Sequence, residues 1–231
     1  MKRLGLIGGI GPESTIEYYR MILKSYREKN DNGSNPHLII NSIDMKKMLG
    51  LIDSKEFGKT VDYIVEELKK LADAGAELGI ITSNTPHIVF DEINEKSPLP
   101  LISIVEATCE EAKSHNFKKA GLFGTKFTMR GGFYNKVFEK DCIEVITPDI
   151  KEHEYIHYKY MNELVNGIFS EETKKKFLVI VDNMINEHNI DCLVLGGTEI
   201  PLLIKDKYYR GIELLNTTKI HVEAAVAQML I

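Results

Sequence analysis

Four short segments of the sequence place polar side chains directly after apolar runs, in residues 8–13, 83–87, 124–129 and 197–201. Hydroxyl, amide and carboxylate groups can hold a small polar ligand. His87 and Glu199 are of the residue types that most often transfer protons, and N–H groups at the start of a helix attract anions. The segments therefore predict a site for a small carboxylate, although helix capping explains each segment taken alone.

The first segment does not carry a nucleotide-binding fingerprint. A Rossmann G-x-G-x-x-G motif would need glycine where the chain has Ser14. The sequence also contains no Walker G-x-x-x-x-G-K-[ST] motif. These glycines are typical of a tight turn from a strand into a helix, with Pro12 in the first helical turn.

The elements that position these segments follow from short apolar runs that alternate with longer stretches of helical periodicity. The runs are LGLIGG, HLIINSI, LGIITS, PLISI, KAGLFGT, CIEVIT and CLVLGG. Such runs are typical of strands buried on both faces, and apolar residues that recur every three or four positions predict amphipathic helices between them. The sequence therefore predicts an α/β fold of mainly parallel sheets flanked by helices, which bind ligands at the carboxyl ends of their strands.

Two pairs of similar segments indicate an internal duplication. The segment around Gly8 resembles that around Gly124, 116 positions later, and the segment around Ser83 resembles that around Gly197, 114 positions later. We therefore expect two similar α/β lobes, with the last apolar run, IELLN, and the helix after it returning to the first lobe. The expected lobes are residues 1–98 plus 206–231, and residues 99–205.

Composition narrows the class of protein. The chain has 29 basic and 34 acidic side chains and a formal charge of −5, which excludes a nucleic-acid partner held by bulk positive charge. No apolar run has the length of a membrane span or of a signal-peptide core, so we expect a cytoplasmic protein with no membrane partner. The three cysteines are too widely spaced for a metal motif, and His153 and His157, in the segment HEYIH, are the one histidine pair with the i, i+4 spacing of metal ligands. We nevertheless expect no metal site, and a solvated helix face at the two histidines.

The segments GLIGGIGPEST with EYY, NTPHIVFDEI, GLFGTKFTM and LGGTEIPLLIK resemble, in order and spacing, the signature segments of the aspartate/glutamate racemase superfamily. The resemblance extends from Leu4 to the C-terminal helix. It implies two pseudo-symmetric α/β lobes with the substrate site between them, a homodimer, and inversion of an amino acid without pyridoxal phosphate or metal. It therefore implies no cofactor, and a small amino acid or dicarboxylate as the partner.

The resemblance also implies which residues form the site. Members use two cysteines as opposed acid–base groups, and the matching positions, which are the predicted catalytic positions, hold Ser83 and Gly197. The residues that it implies bind substrate are Gly9, Ile10, Asn84, Thr85, Thr125, Thr198 and Glu199. Lys126 and Lys159 are the candidates for the cation that a distal carboxylate needs.

Three functions remain open from the sequence. The chain is a racemase of acidic amino acids, a family member with related chemistry such as a decarboxylase or cis-trans isomerase, or a binding protein that keeps the carboxylate site without the acid–base pair. A racemase whose cysteines had been replaced would have the same sequence features as the third. Because a serine hydroxyl needs a neighbouring base and glycine offers no group, we expect little inversion, and partial recovery when Ser83 and Gly197 are both replaced by cysteine.

Overall fold

The computed structural model describes residues 1–30 and 33–231. The strands of this part of the chain are β1 (Leu4–Gly8), β2 (Leu38–Ser42), β3 (Leu78–Ile81), β4 (Leu101–Ile102), β5 (Lys119–Gly124), β6 (Glu144–Ile146), β7 (Cys192–Gly196), β8 (Tyr208–Tyr209) and β9 (Ile212–Asn216). Every apolar run named above forms one of these strands, so the strand predictions are confirmed. β8 was not predicted because its two tyrosines lie between charged residues, in the segment KDKYYRG, and not in an apolar run.

The helices fill the intervals between the strands. They are α1 (Pro12–Lys29), α2 (Met45–Asp53), α3 (Phe57–Asp73), α4 (Phe90–Lys96), α5 (Ile104–Ser114), α6 (Lys126–Arg130), α7 (Phe133–Phe138), α8 (Ile150–Asn162), α9 (Glu171–His188), α10 (Ile200–Leu203) and α11 (Thr217–Met229). Single 3-10 turns lie at Thr85–Val89, Glu139–Asp141 and Leu164–Asn166. No helix in the described residues has the length and apolar character that a membrane span requires.

The strands form two sheets with the same basic order. The first sheet has the order β2-β1-β3-β4, and the second has the order β6-β5-β7-β9-β8. All pairs are parallel except β8 with β9. This confirms the predicted α/β fold of mainly parallel sheets, and the shared order of the first four strands in each sheet agrees with an internal duplication.

Contacts between residues divide the chain into two compact units. The first unit is Met1–Ile104 with His221–Ile231, and the second is Val105–Ile220. This division differs from the expected boundaries at residues 98 and 205, because β4 pairs with β3 and β9 pairs with β7. A strand that follows a short crossover packs beside the strand before it. IELLN therefore stays in the second sheet, and only the chain from His221 onward returns to the first unit.

Each unit has its own apolar core around its central strands. In the first unit, Val226 and other apolar residues of α11 pack with Leu6 of β1, Ile80 of β3 and Tyr18 of α1. In the second unit, Phe123 of β5 packs with α8 and α9 residues, and its ring meets that of Phe177 edge to face with centroids 5.9 Å apart. Burial of both faces explains why the central strands read as continuous apolar runs.

Candidate active site

Two of the predicted segments lie side by side in the first unit. β1 and β3 are parallel neighbours with Ile7 opposite Ile81, and the N–H of Thr82 donates to the carbonyl of Ile7 at 3.0 Å. The chain therefore leaves both strands at the carboxyl edge of the sheet, where α/β proteins bind ligands. We call the predicted residues at this edge the first half-site: Gly9, Ile10, Ser83, Asn84 and Thr85.

Gly9 is a position that only glycine fills without strain. Its φ is +81°, and a Cβ atom there would lie 2.5 Å from the carbonyl oxygen of Ile43. The N–H of Gly9 donates to Oγ1 of Thr15 at 2.9 Å. This N–H group therefore stabilises the turn into α1.

Ser83, the first predicted catalytic position, lies beside His87. The N–H of Ile104 points at Nε2 of His87 at 3.3 Å, so that nitrogen is an acceptor. The carbonyl of Ser83 lies 3.0 Å from Nδ1, which must therefore carry the proton and donate it. Both nitrogens are occupied in one neutral tautomer, and neither is left to take the proton of the Ser83 hydroxyl.

Burial keeps His87 neutral over the whole physiological pH range. Its side chain is 3% exposed and stacks on Phe90 with ring centroids 4.8 Å apart. Loss of water around the ring, with a smaller effect of the nearby His221, lowers the pKa of His87 to about 3. His87 therefore stabilises the fold and is a poor candidate for a base.

The other two predicted segments lie side by side in the second unit. β5 and β7 are parallel neighbours with Gly124 opposite Gly196, so the turns after them open at one sheet edge. We call their predicted residues the second half-site: Thr125, Gly197, Thr198 and Glu199. All four are buried.

Glu199 is held by hydroxyl groups. Its side chain is 1% exposed, and its Oε2 accepts hydrogen bonds from the hydroxyl of Thr198 at 3.1 Å and from the phenol of Tyr160 on α8. Burial, and next the negative charge of Glu199, raise the pKa of Tyr160 well above its ordinary value. The phenol therefore stays protonated and donates to the carboxylate.

Gly197, the second predicted catalytic position, lies directly against the same tyrosine. A Cβ atom on Gly197 would be 2.4 Å from Cε2 of Tyr160 and 3.2 Å from Cδ1 of Ile200. Sequence reasoning missed Tyr160. The available signal was its spacing from His153 and His157, which puts all three on one face of α8.

That face of α8 is not solvated, which corrects the prediction for the two histidines. His153 is 5% exposed and accepts a hydrogen bond from Nε of Arg130 at 3.1 Å. His157 is half-buried, and its Nδ1 accepts from the N–H of Lys126 at 3.3 Å. The periodicity of α8 was read correctly as helical, but the packing of α6 against it decides which face is buried.

Of the helical segments that open at the half-sites, α1, which begins at Pro12, is long, and the other three are short. A single 3-10 turn, Thr85–Val89, follows Asn84, and α10 has only four residues. The Thr125 hydroxyl caps α6 by accepting from the N–H of Thr128 at 3.2 Å.

The two candidate lysines differ in their surroundings. Lys159 is paired with Glu163 one turn further along the chain, and this hydrogen bond raises the pKa of Lys159. Lys126 directly follows Thr125, and its ammonium lies 4.9 Å from the centre of the Phe127 ring. Of the two, Lys126 is the one placed at a half-site.

Comparison with known proteins assigns the family. Residues 7–225 match the Asp/Glu/Hydantoin racemase family. The chain belongs to this family. The assignment confirms the resemblance drawn from the motif segments, and it covers both half-sites.

Individual racemase relatives agree with the family match. The chain is 31% identical to the broad specificity amino-acid racemase RacX of Bacillus subtilis over 151 residues, which span 63% of this chain and just under two thirds, 64%, of RacX. A solved aspartate racemase homologue from Pyrococcus horikoshii is 32% identical with a TM-score of 0.82, and a proposed Asp/Glu racemase from Yersinia pestis is 33% identical with a TM-score of 0.87. Each of these two comparisons covers 100% of this chain and 100% of the solved chain.

The remaining reactive groups of this racemase-family chain are its potential metal ligands and its three cysteine thiols. In residues 1–30 and 33–231, no three His, Cys, Asp or Glu side chains are grouped to hold a metal ion. Cys109 and Cys192 are buried, and Cys142 is exposed. Burial, with a smaller effect of Asp141, raises the pKa of Cys109 to about 12, so this thiol does not ionise at neutral pH.

Proposed function

We propose that this racemase-family chain binds an acidic amino acid, aspartate or glutamate, and that inversion of its α-carbon is strongly weakened. The substrate class is supported by relatives named as an aspartate racemase homologue from Pyrococcus horikoshii and a glutamate racemase from Aquifex aeolicus. Buried amide and hydroxyl groups at the half-sites suit a small polar ligand. They belong to Asn84, Thr85, Thr125 and Thr198.

Inversion needs a proton acceptor on each face of the α-carbon. The α-proton is a weak acid, and each positioned acid–base group contributes roughly 10² to 10⁴ in rate. A thiol supplies some thiolate at neutral pH because its ordinary pKa is about 8.5. A serine hydroxyl is a much weaker acid and requires an adjacent base.

One observation carries the proposal: the two acid–base side chains in the predicted turns are both engaged in fixed hydrogen bonds. His87 uses Nδ1 toward Ser83 and Nε2 toward Ile104. Glu199 accepts from two hydroxyl groups in a buried environment. Ser83 therefore has no base supplied by His87, and Gly197 has no side chain at all.

Two measurements on the unmodified chain test this function. Isothermal titration with both enantiomers of aspartate and glutamate should show saturable binding of at least one of them. Proton NMR in deuterated water should show α-proton exchange close to the rate without protein. Exchange at ordinary enzymatic rates would contradict the loss of inversion, and absence of binding by all four ligands would contradict the substrate class.

A further inference from the structure

The space around residue 197 explains why the chain has glycine there. The Cβ position of Gly197 lies 2.4 Å from Cε2 and 3.1 Å from Cζ of the Tyr160 ring. Separations below 3.0 Å require a neighbouring atom to move. Gly197 is not among the described glycines with positive φ, so its backbone conformation is open to other residues. Lack of room, and not backbone strain, selects glycine at this position.

The Tyr160 ring is fixed by its surroundings. It is 6% exposed and belongs to the apolar core of the second unit. Its hydroxyl donates to the carboxylate of Glu199, which is 1% exposed. A displaced ring would leave this buried carboxylate short of a donor, which is costly in the protein interior. The ring therefore cannot yield to a side chain at residue 197 without loss of stability.

We propose that Tyr160 is the residue that keeps an acid–base side chain away from the second half-site, so that Tyr160 and Gly197 form a matched pair. Tyr160 is a positioning residue, because it acts by occupying the space beside residue 197 and by holding Glu199. This inference rests on the proposed function for its ligand. From the sequence we expected partial recovery of inversion when Ser83 and Gly197 are both replaced by cysteine. The proposed pair adds a condition, because cysteine at residue 197 requires a smaller residue at 160.

The first experiment measures coupling between the two positions without any ligand. Gly197→Ala should lower the urea midpoint and shift the unfolding equilibrium by about 5- to 150-fold, the usual effect of overpacking. In a Tyr160→Leu background, the same change should have little further effect. In a Tyr160→Phe background the full effect should persist, because the ring remains.

A matched control uses another glycine of the same chain. A Cβ atom on Gly50 of α2 would meet nothing within 4 Å. The effects of Gly50→Ala and Tyr160→Leu on the free energy of unfolding should therefore be additive. If Gly197→Ala and Tyr160→Leu are also additive, the matched pair is disproved.

The second experiment restores a thiol and measures proton transfer. Gly197→Cys is combined with the native Tyr160, with Tyr160→Phe and with Tyr160→Leu, all with Cys142→Ser to remove the exposed thiol. A thiolate that reaches the α-carbon breaks its C–H bond and takes the proton. The electron pair stays on the substrate, delocalised into its carboxylate, until a solvent-derived deuteron returns from sulfur to the same carbon.

Of the three combinations, only Gly197→Cys with Tyr160→Leu should catalyse exchange of the α-proton of one aspartate or glutamate enantiomer. Its exchange rate should be roughly 10²-fold or more above that of the parent. Equal exchange with native Tyr160 would overturn the proposal. Binding without exchange in the Tyr160→Leu combination would overturn it as well. If the parent binds none of the four ligands while the stability coupling is present, the proposed function fails and the matched pair stands.

Discussion

The hydroxyl of Tyr18 on α1 lies 2.8 Å from Nδ1 of His221 on α11, a residue 203 positions later in the chain. Nε2 of His221 lies 2.9 Å from the carbonyl oxygen of Ile102 and must donate to it, so Nδ1 accepts from Tyr18. Loss of water around this fully buried ring lowers the pKa of His221 to about 4. The first unit thus contains two buried neutral histidines, His87 and His221, where the C-terminal segment joins it.

These histidines predict that stability falls with pH below neutrality. Both pKa values are depressed in the folded state, to about 3 and about 4, while the unfolded pKa is close to 6.5. Between pH 6.5 and 4 the unfolded chain therefore binds protons that the folded chain does not, and each histidine contributes up to about 1.4 kcal/mol per pH unit. Urea unfolding at pH 7, 6 and 5 measures this slope.

One variant tests whether His221 contributes to this pH dependence of the free energy of unfolding. His221→Asn should lower stability at pH 7, since it removes the buried ring that bonds both Tyr18 and the carbonyl of Ile102, and should also reduce the slope by about one proton. The control is His188→Gln, because His188 is exposed at the end of α9. An unchanged slope in His221→Asn would disprove the assignment.

Ser83→Cys should restore proton transfer from the first half-site. Cysteine differs from serine by one atom type, and its thiol supplies some thiolate at neutral pH. We expect this variant to exchange the α-proton of one enantiomer of aspartate or glutamate without inverting it. The exchange rate should be about 10²- to 10⁴-fold above that of the parent. Ser25→Cys is the matched control, because Ser25 on α1 has the same 8% exposed fraction as Ser83. Similar exchange in both variants would count against the position of Ser83.

Lys126→Met should weaken binding of acidic amino acids. A charged hydrogen bond to a carboxylate is worth about 1.5 to 3 kcal/mol, so the dissociation constant should rise about 10- to 150-fold. Titration calorimetry measures the change, and Lys176→Met, at an exposed position of α9, serves as the control. If both variants bind aspartate and glutamate like the parent, a different residue recognises the distal carboxylate.

Gly9→Ala should destabilise the first unit. The positive φ and the short distance to the carbonyl of Ile43 together predict a cost of about 2 to 4 kcal/mol in the free energy of unfolding. Gly50→Ala in α2 should instead gain about 0.5 to 1 kcal/mol, since alanine favours a helix and has open space there. Urea unfolding of both variants checks the sign of each effect, and equal effects would contradict the account of Gly9.

Much of the fold could be predicted from the sequence because it is encoded locally. A strand buried on both faces must be apolar throughout, so β1, β3, β5 and β7 were visible as runs ending in polar turns. Parallel neighbours with short crossovers then bring those turns to one edge of each sheet. The family also followed from motif order and spacing, which the match over residues 7–225 confirms.

The boundaries between the two units could not be predicted from the local sequence pattern. PLISI and IELLN are each a short apolar run, and their patterns do not say which sheet they join. Pairing with β3 placed β4 in the first sheet, and pairing with β7 placed β9 in the second. The change of unit therefore falls after these strands, at Ile104 and Ile220.

The sequence by itself determined the fold class and the family, and it predicted Ser83 and Gly197 as the catalytic positions. Only the tertiary structure decided the chemistry around them, because it depends on groups distant in the chain. Ile104 fixes the tautomer of His87, and Tyr160 on α8 occupies the space beside Gly197. Residue types show which groups can transfer protons, but packing decides which of them are buried, already hydrogen-bonded or excluded by a neighbour.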